Sequence, residues 1–430
     1  MTRAVMVMPY LDYLPKASRC GFEIYAIWDP KVAARIFGDA AERYLADLAD
    51  AAVTLRLADF DDPEEFTGVL RDAVARFGPD VLCHFGAEES MLLTYRVAEE
   101  FGLAVNSPGS VRLLNDKLAL RQALDRHGLS PVRFAHADRW QDVAALLDGF
   151  SLPVVVKPTE LSGSRGVLLL ENAGELPGWG ALLESYGYAG PVLIEEYLRG
   201  PEFSVETVSV RGVHHVIGVT RKLLGPPPLF VEMGHVHPEP PSPDTAAMSE
   251  LVVAMLDITG YQTGPAHTEV KLTPDGPRIV ESQARLGGDK IPQLVGLSSG
   301  FDLPRSIFEA MDGGPLSPAT GDRTARIHYF DLPVGVLRSV QGLDAARACE
   351  FVHDLSFPFA PGDPIPRIVD WRTRHGYVIV SGASAEDTRR LVRRVEDLLD
   401  IDVDTAGTTP AGAAGAGDNP PQPRRPACRT

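Results

Sequence analysis

Apolar and polar residues alternate along the first part of the chain in two periods. Short apolar runs at Val5–Met8, Glu23–Trp28 and Asp80–Phe85 read as buried strands, and the spacing over Lys31–Asp50 and Glu88–Phe101 reads as helical. Strand, helix, strand in this order predicts a parallel sheet with crossover helices. No GxGxxG follows the first strand, so the pattern does not call for a dinucleotide site. Asn106-Ser107-Pro108 closes the unit, and one helix carrying Asp116-Lys117 is predicted over Val111–His127.

The pattern then changes. Short strands surround a glycine-rich turn from Pro131 to Leu198, and strands dominate from Pro201 to about Gly314 with one clear helix at Pro243–Thr259. Arg323–Val403 reads as a smaller α+β piece ending in a helix at Ala385–Leu399. These shifts divide the chain at 1–110, 111–200, 201–320 and 321–403, with a tail over 404–430. The tail is Ala, Gly, Pro and Thr without large apolar residues, and is expected to be disordered because it cannot bury enough surface to offset chain entropy.

Composition narrows the function classes. The chain has 430 residues, 44% hydrophobic and 23% charged, which describes an ordinary globular protein with length for several domains. Its net charge of −17 and the absence of basic runs interleaved with aromatics argue against nucleic acid or an anionic membrane as partner. A phosphate site here must be a local basic pocket. Cys20, Cys83, Cys349 and Cys428 show no metal or disulfide spacing and read as reduced thiols. With no signal-peptide core and no spanning apolar run, the expected location is the cytoplasm.

The most informative stretch is His267–Leu272, a turn at Thr273–Pro277, and Ile279–Asp289. Two apolar-alternating runs about a Pro/Asp/Gly turn predict a β-hairpin that can bring Glu269 and Glu281 side by side. A carboxylate pair is unfavourable without a cation, and oxygen-only ligation suits Mg²⁺ carrying nucleotide phosphates. Arg285 adds a positive fork, and Gly287-Gly288 let backbone approach a ligand. Taken alone, the stretch also reads as an exposed acidic hairpin.

Other segments carry similar double readings. Lys157 ends the buried run Val154-Val155-Val156, and Glu160–Val167 follows, in which Ser162, Gly163, Ser164 and Gly166 can turn N–H groups and hydroxyls toward phosphate. A lysine after a strand and a flexible loop are also common structural features. Glu195, the Tyr197–Leu198 backbone and Glu202 offer an acceptor, a donor and a ribose-binding carboxylate for a purine nucleoside, or an acidic strand end facing water. His214-His215 reads as a surface turn, and His237 as loop exit before Pro238. Arg221 or Lys222 can reach phosphate.

The order of these motifs resembles the ATP-grasp superfamily: Lys117, then Lys157 with its Gly/Ser loop, then Glu195-Glu196-Tyr197-Leu198 with Glu202, then the Glu269/Glu281/Arg285 hairpin. The resemblance runs from about Val5 to Val403. It implies an α/β and α+β architecture. An N-terminal Rossmann-like domain would be followed by two ATP-grasp lobes and a small C-terminal α+β subdomain. It implies ATP as co-substrate and Mg²⁺, or Mn²⁺ in its place. Lys117 and Lys157 would contact phosphates, Glu195 and the Leu198 backbone adenine, Glu202 the ribose, and Glu269 and Glu281 the metal. Gln283 stands where the family usually has Asn.

Phe230–His235 with His267-Thr268-Glu269 and Ala284–Asp289 is similar to the bacterial L-amino acid ligases that make dipeptides. That resemblance places Glu232 by the amino-acid substrates and His235 by the transferred phosphoryl group or the developing oxyanion. It places Arg285, Gly287 and Gly288 at the carboxylate and the tetrahedral centre. The implied reaction joins a phosphate-activated carboxylate to an amine. The implied partners are amino acids or other small amines, with a homodimer possible. An ATP-grasp carboxylase or ligase with another acceptor, and a non-catalytic nucleotide-binding protein, are the alternative readings.

Overall fold

The structure is a computed structural model that describes every residue except Ala87, Ser162, Leu229 and 406–430, together with the side chains of Glu88 and Glu89. The tail expected to be disordered therefore lies outside the described residues beyond Thr405. Strands β1 (Thr2–Val7), β2 (Phe22–Trp28), β3 (Thr54–Leu57) and β4 (Val81–His84) form a parallel sheet in the order β3-β2-β1-β4. The sequence pattern does not single out β3, because its side chains are mostly exposed and carry no apolar alternation.

Two predicted helices are each broken in two. The Lys31–Asp50 stretch is Pro30–Phe37 and Ala41–Ala51, interrupted at Gly38, whose φ of +57° is a conformation glycine adopts without strain. The Val111–His127 stretch is Pro108–Asn115 and Lys117–Arg126. They meet at Asp116, which is extended and caps the second helix by accepting the Ala119 N–H at 2.9 Å. This break places Lys117 at a helix N-terminus instead of mid-helix.

The next unit is an antiparallel sheet of β5 (Phe134–Ala137), β6 (Val154–Pro158), β7 (Leu168–Leu170) and β8 (Val192–Glu196) in the order β5-β8-β6-β7. It packs on the helix Leu176–Ser185 through Trp179 and Leu183. Strands β9 (Glu202–Val210), β10 (Val213–Leu224), β11 (Glu232–His237), β12 (Gly264–Thr273) and β13 (Gly276–Gln283) follow. The C-terminal part supplies β14 (Thr324–Tyr329), β15 (Gly335–Gln341), β16 (Val352–Ser356), β17 (Pro364–Ile365), β18 (Tyr377–Gly382) and β19 (Asp400–Asp404).

Three of these C-terminal strands do not form a separate layer. They extend one eight-stranded sheet, ordered β13-β12-β9-β10-β11-β14-β18-β16, while β17-β15-β19 form a small sheet beside it. One face of the large sheet is apolar. Phe203, Val205, Val219, Val270 and Ile279 pack there with Met248, Val252 and Met255 of the helix Pro243–Thr259, and with Val111, Leu114 and Leu120. The N-terminal sheet shares a core with Val208, Leu286, Ile291 and the helix Leu303–Asp312. Among the described residues no helix is long and apolar enough to cross a membrane.

Candidate active site

The face of the large sheet opposite Phe203 and Val270 is polar across five adjacent strands. The register aligns Glu269 with both Ser204 and Glu281, Lys271 with Glu202, His267 with both Glu206 and Gln283, and Lys222 with His235. Because side chains alternate along a strand, Glu202, Ser204 and Glu206 face the same way as Thr220 and Lys222, His235 and His237, and His267, Glu269 and Lys271. The predicted hairpin therefore forms with Glu269 directly opposite Glu281.

Lys222 is the hub of this face. Its buried Nζ lies 2.6 Å from Glu269, 2.9 Å from Glu202 and 3.1 Å from Glu232. Burial alone would lower its pKa, but the three carboxylates outweigh burial and raise it well above the usual range. Glu202 also meets Lys271 at 3.3 Å. Behind Glu269, His267 lies 3.6 Å away and binds Glu206 at 2.9 Å and 3.0 Å. Burial disfavours the charged ring, but Glu206 and Glu269 raise the His267 pKa to about 9.

The second carboxylate has its own partners. Glu281 accepts from Gln283 Nε2 at 2.7 Å and lies 3.4 Å from Lys117 Nζ, which donates to the Leu161 carbonyl at 3.0 Å. Gln283 Oε1 is buried without a hydrogen-bond partner. A buried orphan acceptor is costly unless a ligand or cation completes it, and it stands with two carboxylates on adjacent strands. This oxygen donor set fits Mg²⁺. Among the described residues no group of three or more His, Cys, Asp or Glu side chains is gathered as a metal cage.

Lys157 is buried, with Nζ 2.6 Å from Glu195 Oε2, and Arg121 Nε binds the other Glu195 oxygen at 2.7 Å. Burial would raise the Glu195 pKa, but the two cations hold it below the usual carboxylate range. Arg121 also donates to the Ile279 carbonyl at 2.7 Å, so it links the end of β8 to the hairpin. The Glu195 side chain is thus engaged from inside, while Glu196 is exposed and accepts the Arg133 N–H. Tyr197 lies 6.2 Å from Phe230, ring to ring, and Leu198 is half-buried beside it in sequence.

In the Gly/Ser loop, Ser162 lies outside the described residues. Gly163 and Gly166 have φ of +67° and +72°, and Ser164 donates to the Phe230 carbonyl at 3.2 Å. A Cβ at Gly163 would fall 2.5 Å from the Trp371 ring, so the loop lies against the C-terminal part.

At the far end of the polar face, Arg285 donates to the Leu286 carbonyl at 2.8 Å, and its charge is felt by Tyr10 of the N-terminal sheet unit. Gly287 permits a close approach: a Cβ there would meet His267 Nδ1 at 2.9 Å and Glu206 Oε2 at 3.1 Å, whereas Gly288 faces open space. Glu232 reaches Lys222, and His235 Nε2 lies 3.3 Å from Asp289 Oδ2.

Residues 150–293 match the family model of the ATP-grasp domain, and residues 328–404 match that of the L-amino acid ligase C-terminal domain 2. The chain carries an ATP-grasp domain. The chain is 29% identical over 323 residues to the uncharacterised y4rH protein of Sinorhizobium fredii, covering 73% of the chain and 66% of that protein. It thus spans just under two thirds of that relative's length. It is 22% identical to dapdiamide A synthase of Enterobacter agglomerans, covering 80% of the chain and 88% of the synthase. Its fold superposes on an L-amino acid ligase from Bacillus licheniformis with a TM-score of 0.75 at 22% identity, covering 94% of the chain and 99% of that ligase.

Sequence reasoning misses several residues of this site. Glu206 is visible in retrospect as one of the polar residues at every second position of a strand, the period-two signal applied to a polar face, whereas of the two cations read as able to reach phosphate, Lys222 meets three carboxylates and Arg221 pairs with Glu239. His214 is not a surface turn residue. It lies in β10 with Ser209 Oγ at 2.7 Å and Asp257 at 3.4 Å. His237 is the buried last residue of β11, with Nδ1 3.0 Å from Thr220 Oγ1, not a loop exit. Arg374, which holds Asp289, comes from a segment with no motif of its own.

Proposed function

We propose that the protein activates an amino-acid carboxylate with ATP and joins it to the amine of a second amino acid, releasing ADP and phosphate. The observation that carries this reading is the single polar face, which runs from the Glu281/Glu269 pair through Lys222 to Glu232 and His235. It therefore has a phosphate end and an acyl end on one rigid support. The match of residues 328–404 to an L-amino acid ligase domain and the likeness to the Bacillus licheniformis L-amino acid ligase support amino acids as the substrate class.

In this reading a carboxylate oxygen attacks the γ-phosphorus, giving an acyl phosphate and ADP, and the amine then displaces phosphate. Phosphoryl transfer needs positioning and charge neutralisation, which Lys117 and Lys157 would supply. Glu269, Glu281 and Gln283 would hold the divalent cation, which when bound neutralises phosphate charge. Glu195, clamped by Arg121, fixes Lys157. Leu198 would meet adenine through its backbone, and Glu202 the ribose. Arg285 with the Gly287–Gly288 backbone donates to the oxyanion of the tetrahedral centre. The loop seated against Trp371 excludes water that would hydrolyse the acyl phosphate.

The test is phosphate and ADP release measured over pairs of amino acids, with mass detection of the product. Dipeptide formed in step with ADP is the expected result. Turnover that needs bicarbonate and no amine would replace this reading with a carboxylase. ATP binding without ADP release in any mixture would leave a nucleotide-binding protein.

A further inference from the structure

The two ring nitrogens of His235 have unlike surroundings. The residue is 1% exposed, on β11 opposite Lys222. Its Nε2 lies 3.3 Å from Asp289 Oδ2, while Nδ1 is buried with no hydrogen-bond partner. Asp289 accepts both guanidinium arms of Arg374 at 2.6 Å, a bidentate pair that keeps the carboxylate ionised and therefore an acceptor only. In the neutral ring the proton then belongs on Nε2, and Nδ1 is a buried, bare lone pair.

The clamp is itself over-determined. Arg374 also donates to the Glu232 carbonyl at 3.1 Å and the Trp371 carbonyl at 3.2 Å, and its guanidinium lies 3.7 Å from the Tyr329 ring centroid. Asp289 is held at φ +47°, a conformation that persists in a non-glycine residue only when its surroundings fix it. The two residues are 85 positions apart, so the C-terminal part reaches back to set a side chain of the polar face.

We propose that Arg374 is a positioning residue for amide formation: it locks Asp289, Asp289 fixes the Nε2–H tautomer of His235, and His235 Nδ1 takes the proton of the incoming amine. The proposal rests on the ligase reading above. In the step, the amine nitrogen forms the C–N bond to the acyl carbon. The C–O bond to phosphate breaks, with its electron pair leaving on phosphate. The nitrogen's surplus proton moves to His235 Nδ1 and from there to the departing phosphate. A lysine at position 374 cannot reproduce the two-armed contact.

The experiment uses the full chain labelled with ¹⁵N-histidine, its His235 signals assigned by their loss in His235→Gln. Wild type should show a proton on Nε2 and none on Nδ1, and Arg374→Ala should mix the tautomers. In parallel, hydroxylamine trapping reads acyl phosphate, and mass detection reads dipeptide. Arg374→Ala and Asp289→Asn should lower dipeptide formation on the order of 100-fold, the scale of a lost general base. Trapping should change by less than ~3-fold, because a strong nucleophile needs no base. Arg374→Lys should fall between. Asp289→Asn keeps the residue's size should Arg374→Ala not fold. An unchanged His235 tautomer in folded Arg374→Ala or Asp289→Asn overturns the proposal, as do equal losses of trapping and dipeptide. If wild type makes neither product, the ligase reading fails, and the tautomer measurement still decides the clamp.

Discussion

Replacing Lys222 by Met removes the one cation shared by three carboxylates, Glu202 buried and Glu232 and Glu269 partly so. At an effective dielectric near 20, each contact at 2.6 to 3.1 Å contributes a gross attraction of roughly 5–6 kcal/mol. Desolvation of the lysine cancels much of that sum. What remains after Lys222→Met is the penalty of carboxylates left without a partner, about 3–5 kcal/mol. With ~2–4 °C per kcal/mol, the metal-free melting midpoint should fall on the order of 6–20 °C. Lys222 has a raised pKa, so its contribution is complete below the ordinary lysine value of 10.5 and is lost only above the folded-state value. An assay at neutral pH sits inside that window. Melts in chelator and in excess Mg²⁺ should also differ more in the variant than in wild type, since a divalent cation at Glu269 replaces part of the lost charge. A loss under ~1 kcal/mol, or one that Mg²⁺ leaves unchanged, would refute the reasoning that this lysine holds the polar face together.

Gly200 has φ +143°, and a Cβ there would lie 1.9 Å from the Leu272 carbonyl oxygen. Gly200→Ala should therefore cost about 1–3 kcal/mol in urea unfolding, and should raise the ATP KM by shifting Leu198. Glu281→Gln should weaken Mg²⁺-dependent binding of a non-hydrolysable ATP analogue by at least ~10-fold, or ~1.4 kcal/mol, by calorimetry; unchanged affinity would remove Glu281 from the metal site. His84 is buried, with Nε2 2.8 Å from Ser90 Oγ and Nδ1 accepting the Gly86 N–H at 3.1 Å. Burial lowers its pKa from 6.5 to about 3, so its stability contribution is complete above pH 6.5 and is lost as pH falls toward 3. The acid-side slope of unfolding free energy should include up to ~1.4 kcal/mol per pH unit from this group, and His84→Gln should flatten it.

The hairpin was legible because Glu269 and Glu281 stand in alternating runs about a Pro/Asp/Gly turn, and local pattern determines such a pairing. The parallel N-terminal unit was legible for the same reason. The break at Asp116 was not, because a capping aspartate inside a helical period is indistinguishable in sequence from a solvent-facing one. Lys222 was hard to weigh because its meaning depends on Glu202, Glu232 and Glu269, which only strand order brings to it. Glu195 could be read as facing a nucleotide, since nothing local announces that Arg121, 74 residues earlier, would occupy one of its oxygens. Arg374 depends on tertiary structure alone.

The sheet that carries the site also decides where this protein can be recombined with its relatives. The stretch that matches the L-amino acid ligase C-terminal domain begins at residue 328, inside β14, which is hydrogen-bonded to β11 through Gly234–His237. A chimera joined at that point would splice two parents within one strand. A seam in the irregular 314–323 segment keeps β14 whole. Even there, the donor must supply the Asp289 partner at position 374 and a ring against Gly163 at position 371. Exchange of the C-terminal module is therefore constrained less by its own fold than by two side chains that it lends to the rest of the protein.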